Sequence, residues 1–173
     1  ISPLTSKPTL YVANIKEDDL YDDDKNIYLQ ELKKWSEKNN EKVLSLCTKF
    51  EMEIVDLSQE EKKEFLNSYS LDRTGLDRLT AATFKLLGLE TFFTAGEKEI
   101  KSWTVKKGSY AVDAAGEIHS DIQRGFIKAE IYSLADLIEF QSEENLKSNG
   151  KIRQEGKNYI VQDGDIIFFK FNV

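Results

Sequence analysis

The chain has 173 residues, 40% hydrophobic and 32% charged, with 10 Phe, 7 Tyr and 2 Trp, enough apolar material for one large domain or two small ones, which excludes global disorder. A net charge of −7 argues against a general nucleic-acid glue, because phosphates repel such a chain on average, although a local basic patch is still compatible with it. One cysteine, Cys47, and one histidine, His119, argue against a disulfide framework and a Cys/His zinc centre and fit a reducing, cytoplasmic compartment, while no apolar run approaches the ~20 residues of a membrane span and no signal-peptide pattern opens the chain.

Thr9-Leu10-Tyr11-Val12-Ala13 is a short apolar run rich in strand formers and predicts a buried strand. It stops at Asn14-Ile15-Lys16-Glu17. The acidic stretch of Glu17, Asp18, Asp19, Asp22, Asp23 and Asp24 reads as a solvated loop, since it has neither the spacing nor the glycine of a calcium loop. Tyr28, Leu32 and Trp35 recur at helical spacing and predict a helix over residues 26–39. Residues 42–47 predict a second strand. Ser58 with Glu61 has capping-box spacing and opens a helix through about Tyr69. Thr74 with Asp77 offers a similar start, Leu76, Leu79, Thr83, Leu86 and Leu87 continue the stripe, and Gly88 ends it. Strand-helix alternation of this kind implies an α/β layer. Two strands make an incomplete parallel sheet, so preceding chain is expected.

The texture changes near Glu90. Thr91-Phe92-Phe93-Thr94 and Ser102-Trp103-Thr104-Val105 predict short strands around Ala95-Gly96, and residues 113–119 a short helix. Residues 125–132 alternate Phe126, Lys128 and Glu130 against Ile127, Ala129 and Ile131, a half-buried strand. Residues 134–140 and 145–151 predict short helical pieces. Tyr159-Ile160-Val161 and residues 166–171 flank Gln162-Asp163-Gly164-Asp165, which reads as a hairpin or tight turn. The second half is therefore expected to be a compact α+β domain.

Several long blocks, in order, resemble a family: Lys7-Pro8-Thr9-Leu10-Tyr11-Val12-Ala13-Asn14, Thr91-Phe92-Phe93-Thr94-Ala95-Gly96, Ala114-Ala115-Gly116-Glu117-Ile118-His119-Ser120-Asp121, Gly125-Phe126-Ile127-Lys128-Ala129-Glu130, Gly156-Lys157-Asn158-Tyr159-Ile160-Val161-Gln162-Asp163-Gly164-Asp165 and Phe171-Asn172-Val173. Together they resemble the C-terminal part of the YchF family, the Obg-like ATPases. The resemblance implies an α/β C-terminal section of a P-loop NTPase domain over residues 1–88, followed over residues 89–173 by a TGS domain, an α+β ubiquitin-like β-grasp fold. Val112-Asp113 stands where the family usually has Pro-Gln, and Ile122-Gln123 where it usually has Phe-Glu, which weakens transfer of a binding surface there.

The resemblance places the phosphate-binding loop and a coiled-coil insertion before Ile1. None of the nine glycines has Gly-x-x-x-x-Gly spacing, and neither Lys151 nor Lys157, which follow glycines, precedes Ser or Thr. The chain therefore has no Walker A loop and no catalytic or metal-binding residues are expected in it. Alone it is expected to be inactive and to hold no cofactor tightly. ATP or GTP with Mg²⁺ is implied for the full-length protein.

Asn14-x-x-Glu17 follows the end of a predicted strand, where α/β sheets place ligands. As a bare pattern it is common and reads as a turn residue before an acidic loop. A carboxamide can, however, grip adenine N7 and N6 together, and the resemblance implies base contact by Asn14 and Ile15. GTPases carry Asp where Glu17, one methylene longer, stands; the resemblance implies relaxed or adenine-directed specificity, and the alternative for Glu17 is a brace for the loop. Cys47 and Thr48 follow the second strand. The Cys47 side chain reads as small and buried, and the resemblance implies that the backbone here helps to hold the base. His119 with Asp121 suggests a general base and its orienter, but with no nucleophile set beside them a loop-closing histidine is the better reading. Lys147, Lys151, Arg153 and Lys157 form a local basic excess beside Tyr159, either a solvated face or a contact with RNA or the ribosome. The implied partners are a purine nucleotide and, through the TGS domain, ribosome, RNA or protein, with neither DNA nor membrane expected. An alternative function is a non-catalytic regulatory binding module.

Overall fold

The structure, a computed structural model, describes residues 3–21, 25–96 and 99–172. The chain divides into two compact units, Ile1–Leu87 and Gly88–Val173. In the first, strand β1 (Leu10–Asn14) pairs in parallel with β2 (Lys42–Leu46), in register from Leu10 opposite Lys42 to Asn14 opposite Leu46. Helix α1 (Ile27–Asn39) joins them. Asn26 caps it by accepting from the Leu29 N–H at 3.0 Å, and Asn40, at φ 54°, ends it in the left-handed conformation. The buried face of α1 carries Leu29 and Ser36, whereas Tyr28 is 76% exposed. The predicted stripe was thus set one residue off at its start. Trp35 meets the Tyr11 ring edge-on at 5.1 Å.

Helix α2 (Thr48–Glu53), which the sequence pattern did not suggest, starts directly after β2. Helix α3 (Gln59–Ser68) carries the expected capping box with both reciprocal bonds present. Helix α4 (Gly75–Leu87) starts where Thr74 Oγ1 accepts from the Asp77 N–H at 3.0 Å. It stops at Gly88, whose φ of 62° suits a residue without Cβ. The core gathers Cys47, Phe50, Ile54 and Leu66, with Ile15, Leu20, Phe65 and Tyr69 packed against it. The acidic stretch begins as a 3-10 turn, Glu17–Leu20, rather than as a loop. The Asp19 carboxylate accepts from the Lys16 N–H at 3.3 Å and from the Asn26 amide at 2.9 Å, so it is a structural cap. Asp22, Asp23 and Asp24 lie outside the described residues.

The second unit is a five-stranded mixed sheet: β3 (Leu89–Ala95), β4 (Ile100–Lys106), β5 (Phe126–Tyr132), β6 (Arg153–Glu155) and β7 (Ile166–Phe171) in the order β4-β3-β7-β5-β6. Only the β3–β7 pair is parallel. Helices α5 (Ala111–Ile118), α6 (Ser120–Arg124), α7 (Leu134–Phe140) and α8 (Glu143–Ser148) complete it. Successive strand residues face opposite ways, and here both faces are covered. Phe92, Ile131 and Ile167 join Ala111, Ala114 and Ala115 of α5 in one core, while their neighbours Phe93, Tyr132 and Ile166 join Leu146 in a second beneath α7 and α8. The alanines of α5, fully buried, let that helix approach the sheet closely.

Two sequence expectations are corrected in this unit. Tyr159-Ile160-Val161 is not a strand of a hairpin with β7; Ile160 makes an isolated bridge to Tyr110, and β7 pairs with β5 and β3 instead. The tight turn itself is present, with the Asp165 N–H donating to the Gln162 carbonyl at 3.1 Å and Gly164 at φ 86°. In β5 a bulge between Phe126 and Lys128 shifts the alternation, burying Phe126 and leaving Ile127 59% exposed.

Candidate functional site

The C-terminal ends of β1 and β2 lie side by side, and the residues that follow them form one side of a cavity. Asn14 is the last residue of β1, and Ile15 continues the pairing by donating its N–H to the Leu46 carbonyl at 2.9 Å. Cys47, 3% exposed, links β2 to α2 and faces the core. Burial of its side chain agrees with the packing role expected for it. Thr48 opens α2 and donates both its N–H and its hydroxyl to Asn14 Oδ1, each at 3.1 Å. A backbone N–H can only donate, so this contact settles which end of the Asn14 carboxamide is oxygen. Both lone pairs of that oxygen are taken. The two-point grip on adenine set out above therefore needs an acceptor that is already engaged, and the Nδ2 end is the one left to donate outward.

Glu17 sits in the same cavity but is held sideways. Its Oε1 accepts from the Tyr69 hydroxyl at 2.5 Å and its Oε2 from Lys49 Nζ at 3.0 Å. The Tyr69 bond first and Lys49 second keep the Glu17 carboxyl below its ordinary range. The same pairing raises the Tyr69 phenol and the Lys49 ammonium. Lys49 also reaches Glu53 at 3.7 Å. Residues 14–18 and 47–49 line the cavity, of about 420 Å³. Tyr69, which the sequence motif does not contain, is the addition that structure makes to the site. Its only sequence signal was its place at the end of a capped helix.

The other singled-out residues have separate settings. His119 Nδ1 accepts from the Asp121 N–H at 3.2 Å and caps α6, while Asp121 pairs with Arg124. That is the loop-closing arrangement rather than a base aimed at a nucleophile. Lys151 pairs with Asp136 at 3.2 Å and lies over the Phe140 ring. Arg153 lies over the Tyr159 ring, 3.3 Å from its hydroxyl and 3.7 Å from Asp165. Lys147 and Lys157 are exposed. Among the described residues no helix is long and apolar enough to cross a membrane.

Comparison with known proteins points one way. The family model YchF-GTPase_C, described as a protein of unknown function (DUF933), matches residues 89–172. The ribosome-binding ATPase YchF of Bacillus subtilis (strain 168) is 48% identical over 170 residues, which is 98% of this chain and 46% of that protein. Obg-like ATPase 1 of Caenorhabditis elegans is 43% identical, over 98% of this chain and 43% of its own length. The solved Schizosaccharomyces pombe YchF GTPase superposes with a TM-score of 0.83 at 32% identity, covering 96% of this chain and 44% of the other. The chain thus spans somewhat less than half the length of these relatives. It belongs to the YchF family and matches that family's C-terminal part.

Proposed function

We propose that residues 1–88 form the base-recognising C-terminal section of a P-loop NTPase domain and residues 89–173 a TGS domain, within a longer protein that binds and hydrolyses ATP, with GTP as a further substrate. The observation that carries this is the junction of Asn14 with Thr48 at the ends of two parallel strands, the edge at which α/β sheets take ligands. With its oxygen engaged, the Asn14 amide donates through Nδ2 to purine N7, an acceptor on both adenine and guanine. Ile15 and the Cys47-Thr48 backbone flank the base. The order β4-β3-β7-β5-β6 with a parallel central pair supports the β-grasp reading of the second unit.

The cavity offers the Asn14 carboxamide, a Glu17 carboxylate already paired with Tyr69 and Lys49, and the side chains of Lys16, Asp18 and Lys49, while the sequence has no Walker A loop to grip a triphosphate. Residues 14–18 and 47–49 therefore bind and orient, and the phosphate chemistry belongs to other parts of the longer protein. Two relatives are named as ribosome-binding or Obg-like ATPases. The first of these names supports a ribosomal partner and, with it, a cytoplasmic place of action. A second reading, a non-catalytic binding module, is favoured for this piece alone by the exposed Lys147 and Lys157 on the second unit.

The test is calorimetry of the longer protein with ATP and GTP. Asn14→Ala is expected to weaken both, and His119→Ala neither. Equal loss from the two variants, with the fold intact, would reject the site.

A further inference from the structure

Glu17 lines the same cavity as Asn14, at the position where GTPases carry the Asp that reads guanine, but its attachments do not suit that reading. Guanine offers two donors on its N1/C2 side, N1–H and the 2-amino group, and a carboxylate reads them by aiming one oxygen at each. On the same N1/C2 side adenine offers only a bare N1 lone pair and a C–H, against which a free carboxylate would be repelled, its one donor, the 6-amino group, lying on the other side of N1. In this cavity Oε1 is held by the Tyr69 hydroxyl and Oε2 by Lys49 Nζ. Tyr69 cannot follow the carboxylate elsewhere. Its ring stacks on Tyr21 at 4.6 Å and packs against Phe50 at 4.8 Å and Phe65 at 5.7 Å.

We propose that Tyr69 is a positioning residue for nucleotide choice: it anchors Glu17 so that the carboxylate cannot present both oxygens to guanine, and together with Lys49 it offsets the charge that adenine N1 would otherwise face. This rests on the base-site reading above. Discrimination is then set by what Glu17 is prevented from doing rather than by a contact it makes. Asn14, through N7, binds either purine, and the engaged Glu17 removes the advantage that guanine would gain from a free acidic residue. Lys49 is the weaker half of the anchor. It is a flexible, 73% exposed side chain shared with Glu53, whereas the phenol is fixed by three rings.

The test uses the full-length protein and binding of ADP, GDP and IDP, the last carrying N1–H but no 2-amino group. Tyr69→Phe keeps the ring and its packing and removes only the donor. It is expected to raise the ratio of GDP to ADP affinity about fivefold, a typical worth for one newly paired polar edge. IDP should gain less than GDP. Lys49→Gln should shift the ratio in the same direction by less, and serves as the second variant if Tyr69→Phe fails to fold. A purely structural role for Tyr69 would weaken ADP and GDP together and leave the ratio unmoved; with Asn14→Ala still weakening both nucleotides, that result overturns this inference and leaves the base site standing. If Asn14→Ala changes neither affinity, the base-site reading itself fails.

Discussion

Thr48 donates both its backbone N–H and its hydroxyl to the side-chain oxygen of Asn14, 34 residues earlier in the chain. The bond pair ties the first residue of α2 to the last residue of β1. It also makes the two positions unequal under mutation. Thr48→Ala keeps the N–H donor, so the amide stays oriented. Asn14→Ala removes the proposed donor to the base and leaves the Thr48 N–H without its acceptor. Isothermal titration of ATP to the longer protein should show a loss of about tenfold for Asn14→Ala, the worth of one hydrogen bond with its orphaned partner, and about threefold or less for Thr48→Ala. A larger loss from Thr48→Ala would place the base contact on the threonine instead.

The capping box of α3 makes a pH-dependent contribution of known sign. Glu61 accepts from the Ser58 N–H at 2.9 Å and the Ser58 hydroxyl at 2.8 Å, and these bonds lower its carboxyl below the ordinary range. A carboxyl depressed in the folded state stabilises above its unfolded value, and that stabilisation is lost as pH falls through the depressed folded value. Urea midpoints followed from pH 7 to pH 3 should therefore fall less steeply in Glu61→Gln than in the parent, from a lower start. Ser58→Ala should cost about 1 kcal/mol at pH 7. Parallel acid limbs for parent and Glu61→Gln would remove the carboxylate from the account.

How much of this was legible in the sequence depends on the range of the interaction involved. The Ser58–Glu61 box, the Thr74 start and the Gly88 stop were readable because each is a local bond among residues a few positions apart. The strand end at Asn14 was readable because it follows a run of strand formers. The burial of Leu29 in place of Tyr28 was not, because both fit a 3.6-residue period and only the partner surface chooses between them. Of the hairpin or tight turn expected at residues 159–171, only the turn formed, for a related reason. Asp163-Gly164 does make the turn, but β7 finds its partners in β3 and β5, more than thirty residues away. The bond from Tyr69 to Glu17 was invisible in the sequence, since it spans 52 positions.

Tyr132 contributes to the alkaline limit, together with Tyr69 and Tyr159, whose phenols are also raised. It is 5% exposed and donates to Glu143 at 2.5 Å; burial first, and the Glu143 bond second, push its phenol upward. A phenol raised in the folded state contributes stability that is complete below its unfolded value of about 10 and is lost as pH rises toward the folded one. Denaturation of Tyr132→Phe between pH 8 and pH 11 should show a flatter alkaline limb than the parent. An identical limb in both would mean that another group governs alkaline unfolding.

Gly125 is required by close approach. A Cβ there would sit 2.1 Å from the Asn172 carbonyl oxygen and 2.8 Å from its carbon, both backbone atoms. The same pair is bonded, the Asn172 N–H donating to the Gly125 carbonyl at 3.0 Å. The strand end must move or the bond must break, so Gly125→Ala should cost about 3 kcal/mol in urea denaturation, the upper end for overpacking. Gly156→Ala, where a Cβ meets nothing within 4 Å, should lie within about 0.5 kcal/mol of the parent. Equal small effects at both positions would show that the β5 and β7 ends part easily.

The basic residues of the second unit fall into two kinds. Lys151 and Arg153 are engaged within the fold, by Asp136 and Phe140 and by Tyr159 and Asp165 respectively. Reversing them breaks internal pairs as well as any external contact. Lys147 and Lys157 are exposed, and reversing them changes charge alone. Ribosome co-sedimentation of the full-length protein should therefore fall for Lys147→Glu with Lys157→Glu at unchanged thermal stability. The logarithmic salt slope of that binding should become shallower by about one for each phosphate that is no longer neutralised. Lys151→Glu with Arg153→Glu should lower co-sedimentation and stability together. Undiminished co-sedimentation in the first pair would reject this patch as the ribosomal contact, because a change of surface charge at two exposed side chains leaves the fold intact and nothing else to compensate for it.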